Sequence, residues 1–298
     1  MAIVVNTNIA SMNAQRSLAA SNTELKTAME RLSTGSRINS ASDDAAGFAI
    51  AESMTAQVRG LSMAAKNAND ALGLLKVVEN ATNDVTDMLQ RIRELAVQAQ
   101  SGTNSSVDIG NLQQEANALM DEITRVSEDT TYNGNAYIGT QATTIDIQVG
   151  YNDGDVIKIN TYDVASSQLG VTFGEGDDAT VFNLIDEDGN YLDISSTPDI
   201  DGDGNVEGPG ALQVITGAIE QVASYKAEWG AGQNRLNYTV SNLMNVVEFT
   251  SAARSRIQDA DFAVEAAKLA KAQVLQQTGT AMLAQANAAP QLALQLIK

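Results

Sequence analysis

The nearest approach to recognisable chemistry in this chain is DIDGDGNVE at residues 199–207. Asp199, Asp201 and Asp203 occupy positions 1, 3 and 5 of an EF-hand-like loop, with Gly204 at 6 and Val206 at 8, an order that wraps carboxylates round Ca2+. Position 12 is Gly210 where a bidentate Glu is needed, and Pro209 argues against a flanking helix. The expectation is an acidic, solvated turn; the alternative is a weak Ca2+ site that orders this segment alone. The paired acids Asp177-Asp178 and Asp186-Glu187-Asp188 lie on polar, Gly-flanked turns, where carboxylates are exposed and chemically ordinary. Cys and His are both absent. That removes Ser-His-Asp triads, Cys-His pairs, disulfides and ordinary zinc sites. The chain reads as a non-enzyme with no cofactor beyond that Ca2+ alternative.

Charge points the same way. A net charge of −19 opposes nucleic-acid binding, which needs clustered Lys and Arg. The excess is uneven: residues 141–210 hold fifteen acids and a single base, Lys158, whereas the first 44 residues balance four against four. Charged residues make up only 18% against a usual value of about 25%. Much of the polarity is therefore Asn, Gln, Ser and Thr, which suits surfaces that meet other surfaces. MAIVVNTNIASMNAQRS at the start has no charged leader followed by an apolar core of signal-peptide length. The expectation is a cytosolic chain, or one exported without cleavage.

The end of the chain is the most unusual part. Between Lys271 and Lys298 no residue is charged, yet Gln273, Gln276, Gln277, Gln285, Asn287, Gln291 and Gln295 are scattered through the segment. Those amides rule against a membrane span, because each would need a partner inside hydrocarbon.

Periodicity supplies the elements. Leu61, Ala65, Ala68, Leu72 and Leu75, then Val85, Leu89, Ile92, Ala96 and Ala99, step by fours and threes, with Val78 and Ala81 between. At 1.5 Å per residue this is a helix of roughly 58 Å, stopped at Gly102. Leu112, Ala116, Leu119, Ile123 and Val126 repeat the pattern, and so do Leu236, Val240, Leu243 and Val247, continuing through Thr250, Arg254, Ile257, Asp261 and Val264. Three such stripes predict a bundle. Between them the period becomes two: IDIQVGYNDGDVIKIN predicts a hairpin turning at Asp153-Gly154, and FNLIDEDGNYLDI a second around Asp188-Gly189. Residues 131 to about 205 are expected to be antiparallel β. Leu18, Leu25, Met29 and Leu32 mark a terminal helix ended by Gly35, and Ser40 with Asp43 is a candidate cap for the next. Near the other end, Phe262, Ala266, Leu269, Ala270, Val274, Ala281, Ala284 and Ala288 line one face, with Leu275, Met282 and Leu283 beside it. A helix apolar on more than one side wants several partners.

Residues 6–60, above all RLSTGSRINSASDDAAG, resemble the amino-terminal signature of bacterial flagellins, and residues 256–290, with RIQDADFA and GTAMLAQAN, resemble the carboxy-terminal one. QRIRELAVQAQSGTNS and IQVGYNDGD are similar to pieces of the flagellin rod. The resemblance implies a mainly α fold: a long coiled-coil-like helical bundle from paired N- and C-terminal segments, with a small antiparallel β-hairpin region in the middle. It divides the chain into a filament-core domain (1–44 with 266–298), a rod domain carrying the hairpin (45–172 with 211–265), and a small acidic, solvent-facing variable insert (173–210). It also implies a motility filament subunit, secreted by the flagellar type III apparatus to the extracellular flagellum. Implied partners are other copies in a helical homopolymer, flagellar cap and hook-filament junction proteins, and an export chaperone at the C-terminal segment; no nucleic acid or membrane is among them. Leu18, Leu25, Met29, Leu32, Leu269, Val274, Leu275, Met282, Leu283, Leu292 and Leu296 are the expected subunit interface and core, and the tail is expected to be largely disordered in a lone subunit. A hook-filament junction protein, which shares the terminal helices but does not elongate, is the competing reading.

QRIRELAVQ also resembles the stretch contacted by the flagellin-sensing Toll-like receptor of animals. By motif, Gln90, Arg91, Glu94, Leu95 and Gln98, with Glu115 from LQQE opposite, are innate-immune recognition candidates; the plainer expectation is a seam between subunits. The ending QLALQLIK departs from the leucine-pair ending common in flagellins, and its apolar residues are expected to pack in the filament core.

Overall fold

The computed structural model describes residues 7–173, 180–186, 188–200 and 206–295, with side chains of 199, 200, 206, 207 and 289–295 excepted. Five long helices account for most of it: α1 (Ile9–Thr34), α2 (Ala45–Ala99), α3 (Ser106–Asp129), α4 (Ala211–Gln258) and α5 (Phe262–Gln295). Between α3 and α4 lie short strands, β1 (Thr144–Gln148), β2 (Val156–Asn160), β3 (Gly170–Phe173), β4 (Thr180–Asn183), β5 (Asp199–Ile200) and β6 (Val206–Gly208). They pair in antiparallel twos, β1 with β2, β3 with β4, and β5 with β6. The mainly α class with a small antiparallel region is the one the sequence predicts.

Two compact units form, residues 1–59 with 246–298, and residues 60–245. The first boundary lies fifteen residues inside the expected rod, and the insert does not separate from the second unit. Leu184 and Ile194, inside the expected solvent-facing 173–210 segment, are wholly buried. Gln113 on α3 explains the anchoring: its amide donates to Leu192 O at 2.8 Å and its carbonyl accepts from Ile194 N at 2.9 Å.

In the second unit one cluster of buried side chains joins Leu75, Leu89, Ile92 and Leu95 of α2, Met120 and Ile123 of α3, and Ile215, Trp229 and Leu236 of α4. The β1–β2 hairpin is docked by aromatic rings. Tyr162 stacks on Tyr225 at 4.0 Å, Trp229 Nε1 donates to Asn160 O at 2.8 Å, and Tyr162 OH donates to Glu228 at 2.6 Å. That last bond, with burial beside it, holds the Tyr162 phenol above its ordinary proton affinity. Gly154 turns the hairpin at φ 88°, as Asp-Gly predicts.

The second expected hairpin is corrected. Phe182 pairs with Val171 of β3, and the Asp188-Gly189 turn closes a shorter ladder than expected, in which Ile185 bridges Tyr191, Leu192 N donates to Leu184 O at 2.9 Å and Asp186 N to Asn190 O at 3.0 Å. Alternation shows that a strand is half-buried; it does not name the strand that pairs with it. Ser40 and Asp43 bond each other in a turn, but α2 begins later, where Asp44 accepts from Gly47 N at 2.9 Å. Among the described residues a capping box belongs to α3, between Ser105 and Asp108. The stripe drawn through Asp261 is also broken. α4 ends at Gln258, and Asp261 opens α5 by accepting from Ala263 N at 2.9 Å and Val264 N at 3.3 Å.

Candidate functional site

The feature able to act is the first unit and the surface it offers. Two breaks set it up. α1 is closed by Gly35 in the left-handed conformation, φ 73°, whose amide bonds Arg31 O. The chain then meets the α4–α5 break: Arg37 N donates to Gln258 O at 2.6 Å, Ala260 N to Gly35 O at 2.9 Å, and Ser36 bridges Asp259. Joined there, α1 and α5 run antiparallel. Arg31 meets Glu265 at one end, and at the other Asn8 Nδ2 donates to Ala286 O at 2.8 Å and Ser11 Oγ to Asn287 Oδ1 at 2.8 Å.

The buried and half-buried positions give the seam. On α1 they include Ser11, Ala14, Leu18, Ser21, Leu25, Ala28 and Leu32; on α5, Glu265, Leu269, Ala272, Gln276, Gly279, Leu283 and Ala286. Both series step by threes and fours, the spacing of a coiled-coil seam. The pairing expected of the chain ends is therefore present, but the inward face of α5 is not the one drawn from its apolar residues. Phe262 and Val274 are 60% and 58% exposed, and the face turned to α1 holds a glutamate, a glutamine and a glycine. The reason is steric: small and polar residues let the backbones approach, and composition alone cannot separate that face from a solvated one.

Glu265 is the most buried acid here, its side chain 6% exposed, with Lys268 Nζ at 2.7 Å and Arg31 Nη1 at 3.5 Å. The signal for Glu265 in the sequence is one acid placed four residues before Leu269 and seven before Ala272.

Of the expected interface residues, Leu18, Leu25, Leu32, Leu269 and Leu283 lie half-buried along the pair. Met29 (54% exposed), Val274, Leu275 (40%) and Met282 (64%) face away from it. Leu275 and Met282, seven residues apart, share one stripe flanking the seam. The side chain of Leu292 and all of Leu296 lie outside the described residues. α5 runs to Gln295, and its contacts with α1 extend as far as Ala286 and Asn287, so along this stretch the chain supplies one partner itself and leaves the other faces bare.

The receptor candidates divide. Gln90, Arg91, Glu94 and Gln98 are exposed on α2, and Arg91 bridges to Glu115 of α3 at 2.8 Å and to Glu94 at 3.0 Å, bonds that raise its proton affinity further. Leu95 is corrected: it is wholly buried in the α2–α3–α4 core and offers no surface. In the acidic turn, Asp201, Asp203 and the side chain of Asp199 lie outside the described residues; the described backbone on either side belongs to strands β5 and β6 rather than to helices.

Charge separates by unit. Residues 60–245 carry twenty-eight acids and eight bases, while the unit built from the termini has nine acids and ten bases. Among the described residues no helix is long and apolar enough to cross a membrane.

Comparison with known proteins follows the same geography. Residues 5–142 match the bacterial flagellin N-terminal helical region and residues 212–297 the C-terminal helical region. Flagellin A of Vibrio cholerae serotype O1 is 34% identical over 379 aligned positions covering all of both chains, and polar flagellin C of Vibrio parahaemolyticus is 32% identical over 384, again covering all of both. A solved Bacillus cereus flagellin is 28% identical, with 60% of this chain and 88% of that one covered at a TM-score of 0.44. With both helical regions matched and full-length relatives above 30% identity, the chain belongs to the bacterial flagellin family, whose members are structural subunits of the extracellular flagellar filament and not enzymes.

Proposed function

We propose that this chain polymerises with copies of itself into the flagellar filament, its α1–α5 pair forming the inner part and its uncharged tail packing against sister tails. One observation carries the reading. The terminal unit is nearly neutral, and it leaves Met29, Val274, Leu275 and Met282 exposed beside a seam built largely of small and polar residues. Burying about 1,000 Å² of apolar surface per copy would supply roughly 25 kcal/mol before entropy is subtracted. A contact whose rotation does not close a ring generates an open helix, so one subunit type suffices.

The reading extends to delivery and to the filament's ends. The chain leaves the cell through the flagellar type III apparatus, an export chaperone covers the C-terminal segment beforehand, and cap and hook-filament junction proteins meet it at the filament ends. On the second unit, Gln90, Arg91, Glu94 and Gln98 with Glu115 form a host-receptor surface that doubles as a contact between subunits. Its test is Arg91→Ala, which lowers reporter-cell activation by the monomer; activation equal to wild type removes the receptor role.

The main test is seeded elongation. Purified full-length protein is expected to lengthen short filament fragments under the electron microscope, and a chain lacking residues 272–298 is expected not to, while keeping the circular dichroism of its second unit. Failure of the full chain to elongate favours the hook-filament junction reading. Elongation by the truncated chain overturns the role given to the tail.

A further inference from the structure

We infer that Met282 is an oxidation-sensitive position, whose conversion to the sulfoxide in the free subunit blocks its entry into the polymer. The inference rests on the assembly reading above. The chain has no cysteine, so its nine methionines hold all of its sulfur. Its single tryptophan, Trp229, is 1% exposed. A two-electron oxidant in solution is therefore directed to exposed thioethers. Met282 is 64% exposed, and Met244 (63%), Met63 (56%), Met12 (55%) and Met29 (54%) are similarly open, whereas Met120 is wholly buried, so it is location and not exposure that sets Met282 apart. Its location makes the modification consequential, because it shares the stripe of Leu275 on a segment that carries no charge from 272 to 297. The apolar thioether at this position is suited to helix packing, and the sulfoxide is polar and chiral.

The step balances with a peroxide as oxidant. The thioether sulfur attacks one peroxide oxygen as the O–O bond breaks, and the proton on the transferred oxygen passes to the departing hydroxide, which leaves as water. Sulfur is oxidised by two electrons and hydrogen peroxide is reduced. No residue other than Met282 is changed, and a methionine sulfoxide reductase reverses the change. Once sister helices cover Met282, the same sulfur is shielded, so subunits are sensitive and filaments are protected.

The test treats full-length subunits with limiting hydrogen peroxide, maps the added oxygen by peptide mass spectrometry, and measures seeded elongation. Expected is oxidation of Met282 well ahead of Met120, with elongation falling about tenfold or more. Met282→Leu subunits, treated alike, should elongate several-fold better than treated wild type. Recovery of elongation after incubation with a sulfoxide reductase supports the same conclusion. Normal elongation by subunits fully oxidised at Met282, or equal loss in Met282→Leu, overturns the inference alone. Failure of untreated wild type to elongate would instead bring down the assembly reading, and the inference with it.

Discussion

A methyl carbon placed on Gly279 would lie 3.2 Å from Leu18 Cδ1, so Leu18 of α1 seats in the notch that the missing side chain leaves on α5. Glycine inside a helix costs about 1 kcal/mol relative to alanine, and here it brings the two backbones close. Gly279→Ala sets that propensity gain against a crowded leucine, and is expected to change stability by less than about 1 kcal/mol. Gly279→Leu should wedge the pair apart at a cost of about 1–3 kcal/mol. Urea unfolding followed by far-ultraviolet circular dichroism checks both, and a stable, assembling Gly279→Leu would refute the close approach.

Glu265 lies at the opposite end of the same seam, with Lys268 at 2.7 Å and Arg31 at 3.5 Å. Removing it by Glu265→Ala leaves Arg31 facing a seam without its counter-charge, at an expected cost of about 1–3 kcal/mol, since Arg31 keeps some solvent access. Replacing both partners with apolar residues, Arg31→Met with Glu265→Leu, should recover most of the loss. A double variant as unstable as the single would show that the ion pair is not what matters there.

Tyr162 and Glu228 give an alkaline limit to the hairpin's docking. The folded phenol is harder to deprotonate than the unfolded one. Its contribution is thus fully present below pH about 10, the unfolded value, and is lost as pH rises through the higher folded value. Tyr162→Phe should cost about 1 kcal/mol at neutral pH and flatten that loss. Fluorescence of the lone Trp229, packed beside this pair, reports the change; unchanged alkaline sensitivity in Tyr162→Phe would assign it elsewhere.

At the start of α3 the sign reverses. Ser105 Oγ and N both donate to Asp108, and the carboxyl is held below its usual range by those bonds. Its contribution is present above the unfolded value and disappears as pH falls through the lower folded one. Ser105→Ala should cost about 1 kcal/mol near neutrality and progressively less in acid. Equal destabilisation at every pH would exclude the carboxylate from the effect.

Polymer growth should depend on salt. With its excess of acids, the second unit repels its copies, and that repulsion is screened over about 10 Å at 0.1 M salt. Seeded elongation is expected to quicken several-fold from 10 to 150 mM NaCl. A rate independent of salt over that range would place the acids away from the growing contact.

Several features were fixed by local chemistry and so could be read directly from the residues. Gly35 and Gly154 occupy left-handed turns that other residues adopt with strain, and the heptad leucines of α1 and the alternation around Asp153-Gly154 each announce one element by its own period. The family signature is equally local, and it named the pairing of the two ends. What the chain alone left open is which face meets which. Leu95 sits among exposed candidates in sequence yet points into the core, Phe182 pairs back to Val171 and not across the nearer turn, and α5 turns Glu265, Gln276 and Gly279 toward α1 while Val274 and Met282 look outward. Period and propensity are properties of one segment, whereas a seam depends on two, and the closest approach of two helices selects small or charge-matched residues that hydropathy ranks as surface.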